Sequence, residues 1–193
     1  MKKLLPNLND FKEFLKISDI FDYPKDHLFI KNIKFIKISN PKLNLIVNEF
    51  VEFYEKNDSN LDSLQELYTL TFDLKPIFYP YLSYYIHYDS FNRNTEMIKL
   101  RDLYNKYEFY LDKELNELPD HIFIVLKFLE FVNNDEILKE LLMNLIIPSF
   151  NNYYNSVFRQ LKPDFILNNP YCKLIYYLIN ILNIDSSLSM EAN

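Results

Sequence analysis

Glu117-Leu118-Pro119-Asp120-His121 sets two carboxylates, a proline and an imidazole directly before the apolar run Ile122 to Val132. Carboxylate beside imidazole is the material of general acid–base chemistry and of metal ligation. Proline suits the first helical position, where its missing N–H would be unpaired anyway. Asp120 would then meet the positive end of the helix dipole, worth roughly 0.3–1 kcal/mol. His121 shares a 3.6-residue stripe with Ile124, Val125, Phe128 and Val132, so it points along an apolar face. There it should be neutral unless Glu117, Asp120 or a bound anion holds its proton. A second polar group, His87, Asp89 and Arg93, would pair Asp89 with Arg93 at i, i+4 on an unbroken helix. Neither group has a histidine pair at i, i+3 or i+4, and there is no Glu-x-x-His, so the spacing favours packing and capping over catalysis or a metal.

Tyrosine is densest from Phe78 to Asp89, which includes Tyr81, Tyr84 and Tyr85. Such side chains present apolar area with a polar tip and suit a groove that receives a peptide. Tyr68 and Phe72 fall on one helical face, and Asp73 follows in the last turn. The dipole there is unfavourable for an acid, so Asp73 should seek a cation or another helix's N-terminus.

The chain of 193 residues has no glycine. Walker-type phosphate loops, dinucleotide fingerprints, nucleophile elbows and calcium loops all require glycine at fixed positions, so none is present. Tight hairpins lean on glycine too, which disfavours an all-β fold. A net charge of −6 argues against nucleic acid as the main partner. Cys172 is alone, which leaves no disulfide framework and no cysteine-based zinc site. Every apolar run is too short for a membrane span. The start, Met1 to Pro6, is a poor secretory signal, and cytoplasm is the expected compartment.

The elements that must position these residues read as helices almost throughout. Phe11, Phe14, Leu15 and Ile20 predict a first helix ending before Tyr23-Pro24. Pro24 opens a second, with Leu28, Ile33 and Ile36 inward. Asn40-Pro41 caps a third through Tyr54, and Leu61 to Phe72 forms a fourth that stops before Pro76. Pro80 marks a short aromatic helix to about His87. Asn92 or Asn94 caps the next, with Met97, Leu100, Leu103, Tyr104 and Tyr107 inward. Ile122 to Val132 should be the central, most buried helix. Asn134 caps a helix through Ile147, Pro148 restarts the chain, and Asn169-Pro170 caps the last. The expectation is an all-α, single-domain bundle of about nine or ten helices over residues 1–184, with a disordered tail at 185–193.

Taken in order, Tyr68-x-x-x-Phe72-Asp73, His87-x-Asp89-x-x-x-Arg93 and Glu117-Leu118-Pro119-Asp120-His121 resemble the NarJ/TorD/DmsD family of molybdoenzyme assembly chaperones. The NarJ branch, also described as the nitrate reductase delta subunit, is the closest. Ile20 to Pro24 echoes its early Leu-x-Tyr-Pro segment, and Phe128-Leu129-Glu130-Phe131 its Glu-Phe helix. The likeness spans roughly Ser18 to Phe131. Two positions that usually hold glycine in that branch are Tyr88 and Asn94, and a position usually charged is Phe91. The resemblance implies a TorD/NarJ-like, cytoplasmic, non-enzymatic chaperone with no cofactor or metal of its own. It would bind the N-terminal segment of a molybdopterin oxidoreductase's catalytic subunit, a twin-arginine signal or its remnant, and support cofactor insertion. The expected peptide-binding residues are Tyr68, Phe72, Asp73, Tyr81, Tyr84, Tyr85, His87, Asp89, Arg93, Glu117, Leu118, Pro119, Asp120 and His121. They would line one aromatic, acidic cleft, with Asp73, Asp89, Glu117 and Asp120 meeting basic groups of the client. The alternative is a helical adaptor using the same groove for a non-molybdenum partner. No nucleic acid and no direct membrane insertion is expected, and the protein would be a monomer or homodimer.

Overall fold

The computed structural model describes residues 7–87, 89–110 and 117–184, so the expected tail at 185–193 lies outside the described residues. These fold into ten α-helices: α1 (Leu8–Leu15), α2 (Leu28–Phe35), α3 (Pro41–Lys56), α4 (Leu61–Phe72), α5 (Ser90–Lys106), α6 (Ile122–Val132), α7 (Asp135–Leu141), α8 (Ile147–Ser156), α9 (Pro163–Asn168) and α10 (Pro170–Ile181). Among the described residues there is no strand, only an isolated antiparallel bridge between Tyr81 and His121. One hydrophobic cluster joins residues from Phe11 to Leu182, which makes this a single-domain all-α fold.

Asparagine does most of the capping. Asn40, Asn60, Asn134 and Asn169 each take extended backbone and accept a hydrogen bond from the first free N–H groups of α3, α4, α7 and α10. That side chain satisfies orphan donors which a longer or apolar residue would leave bare. Proline at the first turn of α3 and α10 adds a preset φ where no N–H is needed.

Several boundaries differ from expectation. α1 ends at Leu15, and Ile20 falls in a separate 3₁₀ turn, Ser18–Phe21. α2 opens at Leu28, after the Asp26 carboxylate has accepted from the Leu28 N–H at 2.8 Å, and Pro24 stays outside the helix. Leu28 then faces solvent rather than the core. α5 is capped by Asp89, not by Asn92 or Asn94; the Asp89 carboxylate accepts from the Asn92 N–H at 2.8 Å. Between α7 and α8 the helix does not break at Pro148. It widens into a π turn over Leu142–Ile146, and the wider turn precedes the proline that lacks the N–H for an ordinary i→i−4 bond.

α6 is buried along Ile122 to Leu126 and at Phe128 and Leu129, as its narrow polar stripe requires. It shares the centre with α10, which is just as buried from Pro170 to Ile179 apart from Lys173 and Tyr176. α10 packs most heavily on α3.

Candidate functional site

The segment from Pro80 to Tyr85 and the segment from Leu118 to Ile122 are held together by main-chain bonds. Leu82 N–H donates to the Asp120 carbonyl at 2.9 Å, and Ile122 N–H donates to the Pro80 carbonyl at 2.7 Å. This pairing consumes the backbone groups that would have extended a helix on either side. The predicted aromatic helix therefore shrinks to one 3₁₀ turn, Leu82–Tyr85. Pro119 and Asp120 likewise stand outside α6, at the centre of a turn closed by His121 N–H to the Leu118 carbonyl at 3.0 Å. His121 is the N-cap, and its Nδ1 accepts from the Phe123 N–H at 3.2 Å. An accepting Nδ1 carries no proton, and burial pulls the imidazole down to about 4, so His121 is neutral as expected.

Asp120 is the hub of the junction. Its Oδ2 accepts from both the main-chain N–H of Ser83, at 3.2 Å, and the Ser83 hydroxyl. Arg93 approaches from α5, with Nη2 at 3.8 Å from Asp120 Oδ2 and Nε donating to Ser83 Oγ at 3.3 Å. The guanidinium also stands 5.6 Å from the centre of the Tyr81 ring. Arg93 thus turns to Asp120 and does not form the i, i+4 pair with Asp89. Tyr104 ties the turn from below, its hydroxyl donating to the Pro119 carbonyl at 2.8 Å. From α8, Ser149 donates to the Leu82 carbonyl and Asn152 to the Tyr85 carbonyl, each at 2.7 Å.

Beside this junction lies a cleft of about 890 Å³. Of the expected site residues, it gathers Tyr84, Tyr85, His87, Asp89, Arg93 and Leu118. Tyr84 is 46% exposed and packs in a tilted pair against Tyr79, another lining residue, with ring centres 4.5 Å apart. Leu118 alone represents the Glu117–His121 motif there. His87 Nε2 lies 3.9 Å from Glu96, and the hydrogen bonds Asp89 accepts from Asn92 lower its pKa.

The remaining expected residues do not line the cleft. Asp120 is 0% exposed and His121 2%, so both side chains are enclosed beside the cleft rather than lining it. Pro119 is also buried, and Tyr68 and Phe72 pack on Tyr171 in the core, with ring centres 5.9 and 4.9 Å away. Glu117 is half-buried and accepts from the Tyr81 hydroxyl at 3.0 Å; burial raises its pKa, against the lowering effect of that bond. Asp73 is exposed and, among the described residues, forms no ion pair. The expected acid-lined wall is therefore corrected to an aromatic and amide wall in which Asp89 is the lining carboxylate. Asp120 and His121 brace the segments beside the cleft and are absent from its lining.

Sequence reasoning missed the α8 side, where Asn152, Asn155 and Ser156 face the cleft. Their i, i+3, i+4 spacing was a legible polar stripe along α8. Among the described residues no group of three His, Cys, Asp or Glu is placed to hold a metal ion. No helix of the described residues is long and apolar enough to cross a membrane.

The searched curated proteins contain no match to this chain. Residues 39–157 match the protein family described as nitrate reductase delta subunit. That stretch runs from the cap of α3 past the end of α8 and contains every residue of the Asp120 hub and of the cleft. The match covers well over half of the chain and supports a general role in molybdoenzyme assembly: this protein belongs to the nitrate reductase delta subunit family.

Proposed function

We propose that the protein is a non-enzymatic assembly chaperone that holds the N-terminal segment of a molybdoenzyme catalytic subunit in the cleft between the Pro80–His87 segment, α5 and α8. Bound there, the segment keeps the client from assembly or export until its molybdenum cofactor is in place. The observation that carries this reading is the cleft itself, built on the family's Glu-Leu-Pro-Asp-His motif. Tyr79, Tyr84, Ile77 and Leu118 offer apolar area, while Asn94, Asn152 and Asn155 offer amides. An amphipathic client helix would lay its apolar face on the first group and turn polar atoms to the second. The buried hub of Asp120, Ser83 and Arg93 supplies a fixed wall, so little ordering is left to the chaperone on binding. Four well-buried apolar anchors at about 3 kcal/mol each, less roughly 4 kcal/mol for ordering the peptide, leave about 8 kcal/mol, near micromolar affinity. A client held this weakly can be released. The chaperone would work in the cytoplasm, where the client chain is completed.

Calorimetric titration with peptides spanning about the first 40 residues of molybdoenzyme catalytic subunits from the same genome tests this. The expected result is saturable binding that weakens at least about tenfold in Tyr84→Ala and in Leu118→Ser, a loss of about 1.4 kcal/mol or more. Both side chains are partly exposed, so their melting temperatures should stay near the parent's. Absence of binding to every such peptide refutes the reading, and capture of a partner without molybdopterin from cell extract favours the adaptor.

A further inference from the structure

One basic stretch stands apart in this acidic chain and takes no part in the cleft. Residues 25–42 carry five lysines, Lys25, Lys31, Lys34, Lys37 and Lys42, against the single acid Asp26 and no arginine, while the whole chain has a formal net charge of −6. Lys34 is paired with Glu55 at 2.6 Å, and Lys25 lies 3.8 Å from Asp22. Among the described residues Lys31, Lys37 and Lys42 form no ion pair, and all three are exposed. Ile30 and Ile33, 3% and 1% exposed, fix which face of α2 is inward. Helical spacing then puts Leu28, Lys31 and Phe35 together on the outward face. Leu28 is 57% exposed and Phe35 75%, two large apolar side chains set two turns apart on one outward face.

We propose that the outer face of α2, with Lys37 and Lys42 following it, is a docking surface for an anionic lipid bilayer. Charge and side-chain type select this occupant. Lysines on long stems answer a diffuse negative surface and keep their ammonium groups in water, while a leucine and a phenylalanine between them settle at the acyl boundary. Nucleic acid is disfavoured because the stretch has no arginine fork to grip phosphates, and Leu28 and Phe35 would gain nothing there. An acidic protein surface would leave the two apolar tips in search of a matching pocket. Contact of this kind is adsorption, and it asks for no spanning helix.

Sedimentation of the full chain with vesicles tests the proposal, using phosphatidylcholine alone or mixed with about 30% phosphatidylglycerol to give a negative surface potential. Binding is expected to the mixed vesicles only, and to fall as salt is raised toward about 0.5 M. The triple change Lys31→Gln, Lys37→Gln and Lys42→Gln should weaken it at least about tenfold, since each surface lysine ordinarily yields about fivefold. Leu28→Ser with Phe35→Ser should weaken it as well. Phe91→Ser with Ile98→Ser, both exposed on α5, should leave it unchanged, and circular dichroism checks that each variant is folded. Equal binding to both vesicle types, binding undiminished in the lysine variant, or retention by nucleic acid or an acidic protein without retention by mixed vesicles would overturn the proposal.

Discussion

At the residue scale, Asp120 and His121 brace the junction through buried contacts. Asp120 Oδ2 satisfies a buried N–H and a buried hydroxyl of Ser83, while Oδ1 is buried without a hydrogen-bond partner. Removing the carboxylate strands both Ser83 donors and leaves Arg93 without its acid. Asp120→Ala should therefore cost about 2–4 kcal/mol in urea unfolding, with loss of peptide binding as a consequence. Normal stability with abolished binding would show instead that Asp120 acts on the client. His121 gives a pH signature. Its folded pKa of about 4 lies below the ordinary 6.5, so the unfolded chain binds the extra proton. The stabilisation it represents is complete above about pH 6.5 and is lost as pH falls toward 4, on the order of 3 kcal/mol in all. Comparing the parent with His121→Phe across that range should reveal a shallower acid loss in the variant, measured from the unfolding midpoint in denaturant.

At the element scale, the pieces around the cleft are unequally anchored. α8 is bound to the 3₁₀ turn by Ser149 and Asn152, and it packs along Phe150 and Tyr153, both 0% exposed. α5 is fastened less broadly, burying only Leu100 and Tyr104 along its 17 residues. Its main neighbour is the Leu82–Tyr85 turn, and Arg93 is the polar link between them. Caps elsewhere are modest and separable contributors. Asn134→Ala removes the acceptor for the Glu136 and Ile137 N–H groups at 2.9 and 3.2 Å. A loss of about 1 kcal/mol is expected, read as a lower thermal midpoint with peptide affinity unchanged, because α7 lies outside the cleft.

At the scale of the whole molecule, one core runs through every layer, from Phe14 against Tyr177 to Phe50 against Tyr171 and Phe78 against Phe150. Unfolding should accordingly be a single transition, with far-ultraviolet circular dichroism and tyrosine emission changing together. Two separated midpoints would mean that the α5 region opens apart from the rest. Charge is also arranged at this scale. Five lysines lie within residues 25–42 of a chain whose formal net charge is −6, and local charge of this kind can orient approach to a partner or surface.

Sequence alone determined the class of fold, the caps at Asn40, Asn134 and Asn169, and the family motif. Each depends on near neighbours in the chain: the apolar period of α3 and α6, asparagine before a helix, and proline in a first turn. It also determined that His121 is neutral, because an imidazole on an apolar stripe has no other inexpensive state. Tertiary structure alone decided which motif residues face the cleft. Periodicity assigns a residue to one side of its own helix, and Asp120, though polar, lies where the backbone of Pro80 to Leu82 pairs with its segment and Ser83 turns into its carboxylate. That contact joins residues 37 positions apart, so no local pattern encodes it. The same pairing ended one predicted helix early, began another late, and turned the expected acidic wall into a buried brace.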